Sequence, residues 1–296
     1  MKKLMLFGLG VVASLSVLTS CKKDEVVPEG PKITFANGAD IQVDDTTSSY
    51  TFVANIEAAG ELKEIKLFKV TEKGEEQLGT AITSFNTKTS YVLNHKVDLV
   101  TLKKGEIKIK VSVTDSKNQT NSSIFTIKKP GSISSYSAVI MAAQFNEGGS
   151  FLSTSNGIVY KKTDAKTNAS LIDLVYSYRG ADMLAFIAAP SDTILDKTLN
   201  IKAESWSVYN STKFKLSSIS SQDFDLIKND SKYSEITNLV NTKVLNLKVG
   251  NVVAFETAAG KLGYFKVKAI NQGTTGANDI QKFQYGNIEI DVKVQK

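Results

Sequence analysis

The stretch GEIKIKVSVTD, residues 105–115, alternates without a break: Ile107, Ile109, Val111 and Val113 fall on one parity, Glu106, Lys108, Lys110 and Ser112 on the other. Successive side chains of a strand point to opposite faces, so this period of two predicts a strand with one buried and one wet face. Tyr50, Phe52, Ala54 and Ile56 repeat the pattern, and residues 65–70 and 91–99 follow it. Beyond Val113 comes DSKNQ, residues 115–119, rich in turn formers, and then a strand containing Phe125 and Ile127. About seven such strands in roughly 100 residues, with no helical stretch among them, predict a two-sheet sandwich.

The closing run IKVSVTDSKNQTNSSIFTIKK, residues 109–129, resembles the last hairpin of bacterial immunoglobulin-like and cadherin-like modules, in which an alternating strand leads through an Asp-containing turn into a final strand. That resemblance implies an immunoglobulin-like β-sandwich over residues 32–130 and carries no activity. Some relatives of this kind bind calcium, which takes clustered carboxylates. Asp44, Asp45 and Asp115 are too few and too scattered for that.

Pro130 and Gly131 mark a boundary, and residues 131–296 read as a mainly β, mixed α+β domain with a short helical insertion. Strands are expected over 135–144 and 171–178. Within residues 217–242, Ser221 and Ser231 are expected to cap two short helices, the second carrying Tyr233, Ile236 and Val240 on one face. NVVAFETAAGKLGYFKVKAI, residues 251–270, reads as a hairpin turning at Ala259 and Gly260, residues 271–286 as a polar loop, and NIEIDVKVQ, residues 287–295, as an alternating strand. GGSFLSTSNGIVY, IDLVYSYRG, IAAPSD and SWSVYNSTKF resemble stretches of uncharacterised Bacteroidota lipoproteins. No chemistry travels with them.

At the amino end, Lys2 and Lys3 precede an apolar run over residues 4–18 and then small residues, the order of an export signal. The run is shorter than the ~20 residues that span a bilayer. Leu18, Thr19, Ser20 and Cys21 resemble a lipobox, the processing site of bacterial lipoproteins, which implies a diacylglycerol on the sulfur of Cys21 and removal of residues 1–20. The plainer reading is an ordinary signal followed by a free thiol. Lys22, Lys23, Asp24 and Glu25 resemble the surface-export signal of Bacteroidota lipoproteins, which implies outer-membrane anchoring with display at the cell surface rather than on the inner leaflet. Residues 21–31 would then be a lipidated tether.

Composition narrows the chemistry. The formal net charge of +6 falls to +4 without Lys2 and Lys3, and Arg179 is the single arginine among 36 basic residues. Nucleic-acid recognition favours the planar fork of Arg, so no nucleic-acid partner is expected. One histidine, His95, and one cysteine leave no donor set for zinc and no Ser-His or Cys-His pair. No cofactor is expected.

Tyr176, Tyr178, Arg179, Trp206 and Tyr209 are the residues most suited to a sugar-binding surface, because exposed aromatic faces match the apolar faces of pyranose rings. A lone Trp in a β-rich domain is more commonly a core plug. Arg179 suits a carboxylate on a ligand or an internal bridge to Asp173 or Asp182. Glu147, Asp173, Asp182, Glu204 and Glu256 are the acids from which a glycosidase pair would have to come. Thr46 in DTT and Thr193 in DTI resemble the O-glycosylation sequon of exported Bacteroidota proteins. The expectation is a lipid-anchored, non-enzymatic binding module for a glycan or an outer-membrane protein. A structural or adhesive envelope protein and a carboxylate-dependent hydrolase are the alternatives.

Overall fold

The computed structural model describes residues 28–179 and 184–296. The leader, Cys21, most of the tether and Asp182 lie outside the described residues. The described residues are mainly β, in four sheets.

The opening stretch forms a strand, β7 (Gly105–Asp115), at the centre of a five-stranded sheet ordered β2-β8-β7-β4-β5, where β2 is Asp40–Gln42, β4 Leu62–Thr71, β5 Gly74–Gln77 and β8 Thr120–Lys129. β1 (Lys32–Phe35), β3 (Ser49–Glu57) and β6 (Ser90–Asp98) make a second sheet. Ile109, Val111 and Val113 point into the core that both sheets share, together with Phe35, Phe52 and Phe125, and the last two rings stack at 4.6 Å. The β7–β8 turn is locked by Asp115, whose Oδ1 accepts from the backbone N–H of Lys117 (2.9 Å) and Gln119 (2.8 Å). This is why a buried acid sits at a strand end: its charge is spent on backbone donors that would otherwise lack partners. His95 pairs across from Phe52 with rings 5.6 Å apart, and burial pulls its pKa down.

In the second segment, β9 (Ile133–Ala142), β14 (Lys213–Leu216), β16 (Val252–Glu256), β17 (Leu262–Asn271) and β18 (Asn287–Gln295) form one sheet ordered β14-β16-β17-β18-β9. β10 (Phe151–Leu152), β11 (Val159–Tyr160), β12 (Leu174–Arg179), β13 (Leu184–Ala188) and β15 (Lys243–Val244) form the other, ordered β11-β10-β12-β13-β15. The sheets are stitched at one side, where β15 pairs with β13 while Asn241 bridges to Phe214 of β14. At the other side the Ala142 N–H donates to the Gly149 carbonyl. Ile288, Ile290, Val292 and Val294 line the core between them, as the alternation in β18 predicts.

Both sheets are also covered on their outer faces. Helix Ser221–Leu226 and the 3-10 helix Asp230–Glu235 lay Phe224, Ile227 and Tyr233 over Val252, Ala254 and Tyr264. Short helices Lys162–Thr167 and Ile194–Thr198, with the connecting loops, cover Val175, Phe186 and Ala188.

Four local expectations are corrected. Ser220, not Ser221, caps the first helix, because its hydroxyl forms a reciprocal capping box with Asp223, three residues on. Asn229, not Ser231, caps the next turn, which ends at Glu235. The backbone then becomes extended at Ile236 and left-handed at Asn238, so Val240 leaves the shared face and is exposed. The polar loop over 271–286 contains a helix, Asp279–Gln284, capped by Asn278 accepting from the Gln281 N–H at 3.0 Å.

The two segments meet at a buried carboxylate. Asp230 Oδ1 accepts from the Gly131 N–H (2.6 Å), and its Oδ2 accepts from Lys104 Nζ (2.5 Å) and Gln295 Nε2 (2.9 Å). The Asp230 N–H returns a bond to the Gly131 carbonyl at 2.9 Å. A Cβ on residue 131 would stand 2.8 Å from Asp230 Oδ2, so glycine is what lets the chain approach so closely.

Candidate functional site

The aromatic platform expected from Tyr176, Tyr178, Trp206 and Tyr209 does not form. Adjacent parities of β12 face opposite sides of its sheet. Tyr176 and Tyr178 enter the core between the two sheets, whereas Trp206 packs on the outer side against Phe151, with ring centroids 5.3 Å apart. Tyr209 stacks on Trp206 at 5.8 Å, and its hydroxyl accepts from the Trp206 backbone N–H at 3.0 Å. Trp206 is 5% exposed, Tyr178 5% and Tyr176 0%, so none offers a face to a ligand. Burial drives the Tyr176 hydroxyl well above its ordinary pKa. Tyr178 stacks on Phe283 at 4.9 Å, while Arg179 is half-buried at the end of β12.

Of the acids considered as hydrolytic pairs, Glu204 is ion-paired with Lys162 at 3.0 Å and Glu147 is exposed in the turn after β9. Glu256 ends β16, paired in register with Lys213 and Leu262. Asp182 lies outside the described residues. Asp173 is different: it lines a cavity of about 380 Å³, the scale of a small-molecule site.

Five pieces of chain build that cavity. β10 and β12 pair with Leu152 opposite Leu174, and the Asp173 N–H donates to the Leu152 carbonyl at 2.9 Å. This sets Thr154 directly over Asp173, whose Oδ2 accepts from the Thr154 N–H (2.9 Å) and hydroxyl (2.6 Å). The turn carrying Ser170 and Leu171 is pinned by Asn210 Nδ2, which donates to the carbonyls of Ser170 (2.9 Å) and Ile172 (2.8 Å). The β16–β17 hairpin brings Thr257, Ala259 and Lys261, with Gly260 at φ 73 completing its turn. The edge strand β9 and the end of β18 supply Ser134, Val294 and Gln295.

The lining is therefore five hydroxyls, the Asp173 carboxylate, the Gln295 amide and two lysines, Lys261 and Lys296, beside the apolar flanks of Leu171, Ala259 and Val294. No donor among the described residues reaches Asp173 Oδ1, which keeps an acceptor for a ligand. Burial raises the pKa of Asp173, and the two Thr154 bonds offset this only in part. Sequence reading named Asp173 but missed Ser134, Thr154, Ser155, Ser170 and Thr257. Serine and threonine in loops read as turn formers, and their convergence depends on pairings between distant strands.

Two other surfaces bear on function. Phe145, 54% exposed, packs against Tyr285 at 5.5 Å beside the helix Asp279–Gln284. Thr46 and Thr193 are both exposed. Thr46 sits in the turn closed by the Thr47 N–H donating to the Asp44 carbonyl, whereas Asp192 beside Thr193 is buried under bonds from Thr242, Lys243 and the Ile194 N–H.

No family model matches the sequence, and no curated protein matches it. Among solved structures the chain is similar to a DUF4466 family protein from Parabacteroides merdae ATCC 43184, at 15% identity over 90% of this chain and 99% of that one, with a TM-score of 0.37. A likeness of that size carries no functional inference.

Proposed function

We propose that the chain is a lipid-anchored envelope protein whose second segment binds a glycan without catalysis. The observation that carries this reading is the Asp173 cavity. Sugars present vicinal hydroxyls that both donate and accept. A carboxylate oxygen with no protein donor is a strong, charge-assisted acceptor for them, while Ser and Thr hydroxyls and Lys261 serve the remaining positions. The C–H face of a sugar ring would rest on Leu171 and Val294. With a single carboxylate among its side chains from the acids considered, the cavity suits holding a saccharide better than cleaving it.

The Leu18 to Cys21 stretch supports the anchor and the Lys22 to Glu25 stretch supports surface display in the outer membrane. The first segment then acts as an immunoglobulin-like spacer. Confinement near the membrane raises the local concentration of the binding segment for any tethered partner. A second reading, an adhesive envelope protein, is favoured by the exposed Phe145, which packs against the half-buried Tyr285.

A glycan array probed with the full chain in a zwitterionic detergent tests the proposal. Binding is expected for the natural chain and for Trp206→Phe, and is lost in Asp173→Ala that still unfolds cooperatively. Absence of binding across the array, or binding unchanged in Asp173→Ala, would overturn it.

A further inference from the structure

We infer that the open edge of β6 is a self-association surface, on which a second copy of the chain pairs antiparallel and joins two three-stranded sheets into one. β6 pairs with β3 along all nine of its residues without a bulge, and no strand pairs with its other side among the described residues. The Ala58 N–H donates to the Thr89 carbonyl at 2.9 Å, and the Leu99 N–H to the Ser48 carbonyl at 2.8 Å. Odd positions of β6 therefore bond to β3, and the N–H and C=O groups of Val92, Asn94 and Lys96 point away from it. A row of unpaired backbone groups is a template for another strand.

The other sheet edges among the described residues are blunted. β1, β2, β5, β11, β14 and β15 run to four residues or fewer, and β5 carries Glu75 and Glu76. β9 is long but bulged where it passes Asp291, with Ala138 at φ 55. β6 is long, straight and free of proline. A lysine on an edge ordinarily repels a second copy, so the register around Lys96 decides. Full overlap of Ser90–Asp98 with itself sets the twofold axis on Asn94. Asn94 then faces Asn94, Val92 faces Lys96 and Ser90 faces Asp98, so no like charges meet. Val92, 57% exposed on the outer face, would be covered by the Lys96 stem of the second copy. Val92, Asn94 and Lys96 would exchange about six backbone hydrogen bonds with their counterparts. The Asp173 cavity takes no residue from β6, so the inference stands apart from the glycan reading.

The test is oxidative cross-linking of the full chain in zwitterionic detergent, on a Cys21→Ser background that leaves an introduced cysteine as the only thiol. Facing Asn94 Cα atoms would stand about 5.5 Å apart, within reach of a disulfide. Asn94→Cys should form covalent dimer about tenfold faster than Lys73→Cys, in the exposed β4–β5 turn, because pairing raises the local thiol concentration. A mixture of Val92→Cys and Lys96→Cys chains should join faster than either variant with itself. Val92→Pro, which removes an outward N–H and none that β3 uses, should bring the Asn94→Cys rate down to that of Lys73→Cys. Val92→Lys, which sets like charges opposite Lys96, should do so without altering the backbone, and an unmoved thermal transition shows the fold intact. Equal rates for Asn94→Cys and Lys73→Cys, or an Asn94→Cys rate that neither Val92 variant lowers, would overturn the inference. Faster joining of Val92→Cys with itself than with Lys96→Cys would overturn the antiparallel register.

Discussion

Asp173 has both Thr154 donors on one oxygen and is largely buried, so its ionised form is less comfortable folded than unfolded. Because its pKa is raised on folding, the native state holds the proton more tightly. Stability therefore falls as pH rises from the ordinary carboxylate value through the raised one. Asp173→Asn, which keeps an acceptor for Thr154, should leave stability at neutral pH unchanged or higher and flatten that slope. Asp173→Ala strands the Thr154 donors and should cost about 1–3 kcal/mol. Urea denaturation across a pH series checks both. Residue type in the sequence pointed to aromatic side chains, and Trp206, Tyr176 and Tyr178 proved to be core. A parity pattern says which residues share a face of a strand but not whether that face is covered.

At the scale of elements, helix Ser221–Leu226 is too short to persist alone and is held at its carboxyl end by a lysine from β18. Lys293 Nζ donates to the carbonyls of Phe224 (2.9 Å), Asp225 (3.0 Å) and Ile227 (2.7 Å) and lies 5.0 Å from the Phe224 ring centroid. Desolvation lowers its pKa. Lys293→Met keeps the stem but leaves three carbonyls without that donor. It should cost about 1–3 kcal/mol and speed amide exchange over residues 221–227 ahead of the sheet beneath. β7 and β18 were legible because one side of each is wetter than the other. β12 and β16 are buried on both parities, so LVYSY and VVAF lose the alternation that marks a strand edge to edge. The two-residue strands β10, β11 and β15 are too short to have a period at all. Helix Asp279–Gln284 buries no residue fully, so no apolar stripe announced it.

For the whole molecule, Pro130 and Gly131 were readable as a boundary, but what fixes the boundary was not, since Asp230 lies far along the chain from Gly131. Asp230→Ala removes the acceptor for Lys104, the Gly131 N–H and Gln295. The expected results are a loss of about 2–4 kcal/mol and new proteolytic cleavage near residues 129–132. Gly131→Ala should give the same cleavage, because its Cβ would collide with that carboxylate. If Cys21 carries the anchor, Cys21→Ser should move the protein from the membrane fraction to the soluble one and abolish incorporation of labelled palmitate. The thermal transition is expected not to move.

The most direct measurement is an amide chemical-shift titration of the labelled chain with the tightest saccharide from the array. The account predicts that the perturbed amides cluster on Thr154, Ser155, Ser170, Asp173, Thr257 and Lys261. Shifts centred on Phe145 and Tyr285, or none at saturating saccharide, would contradict it.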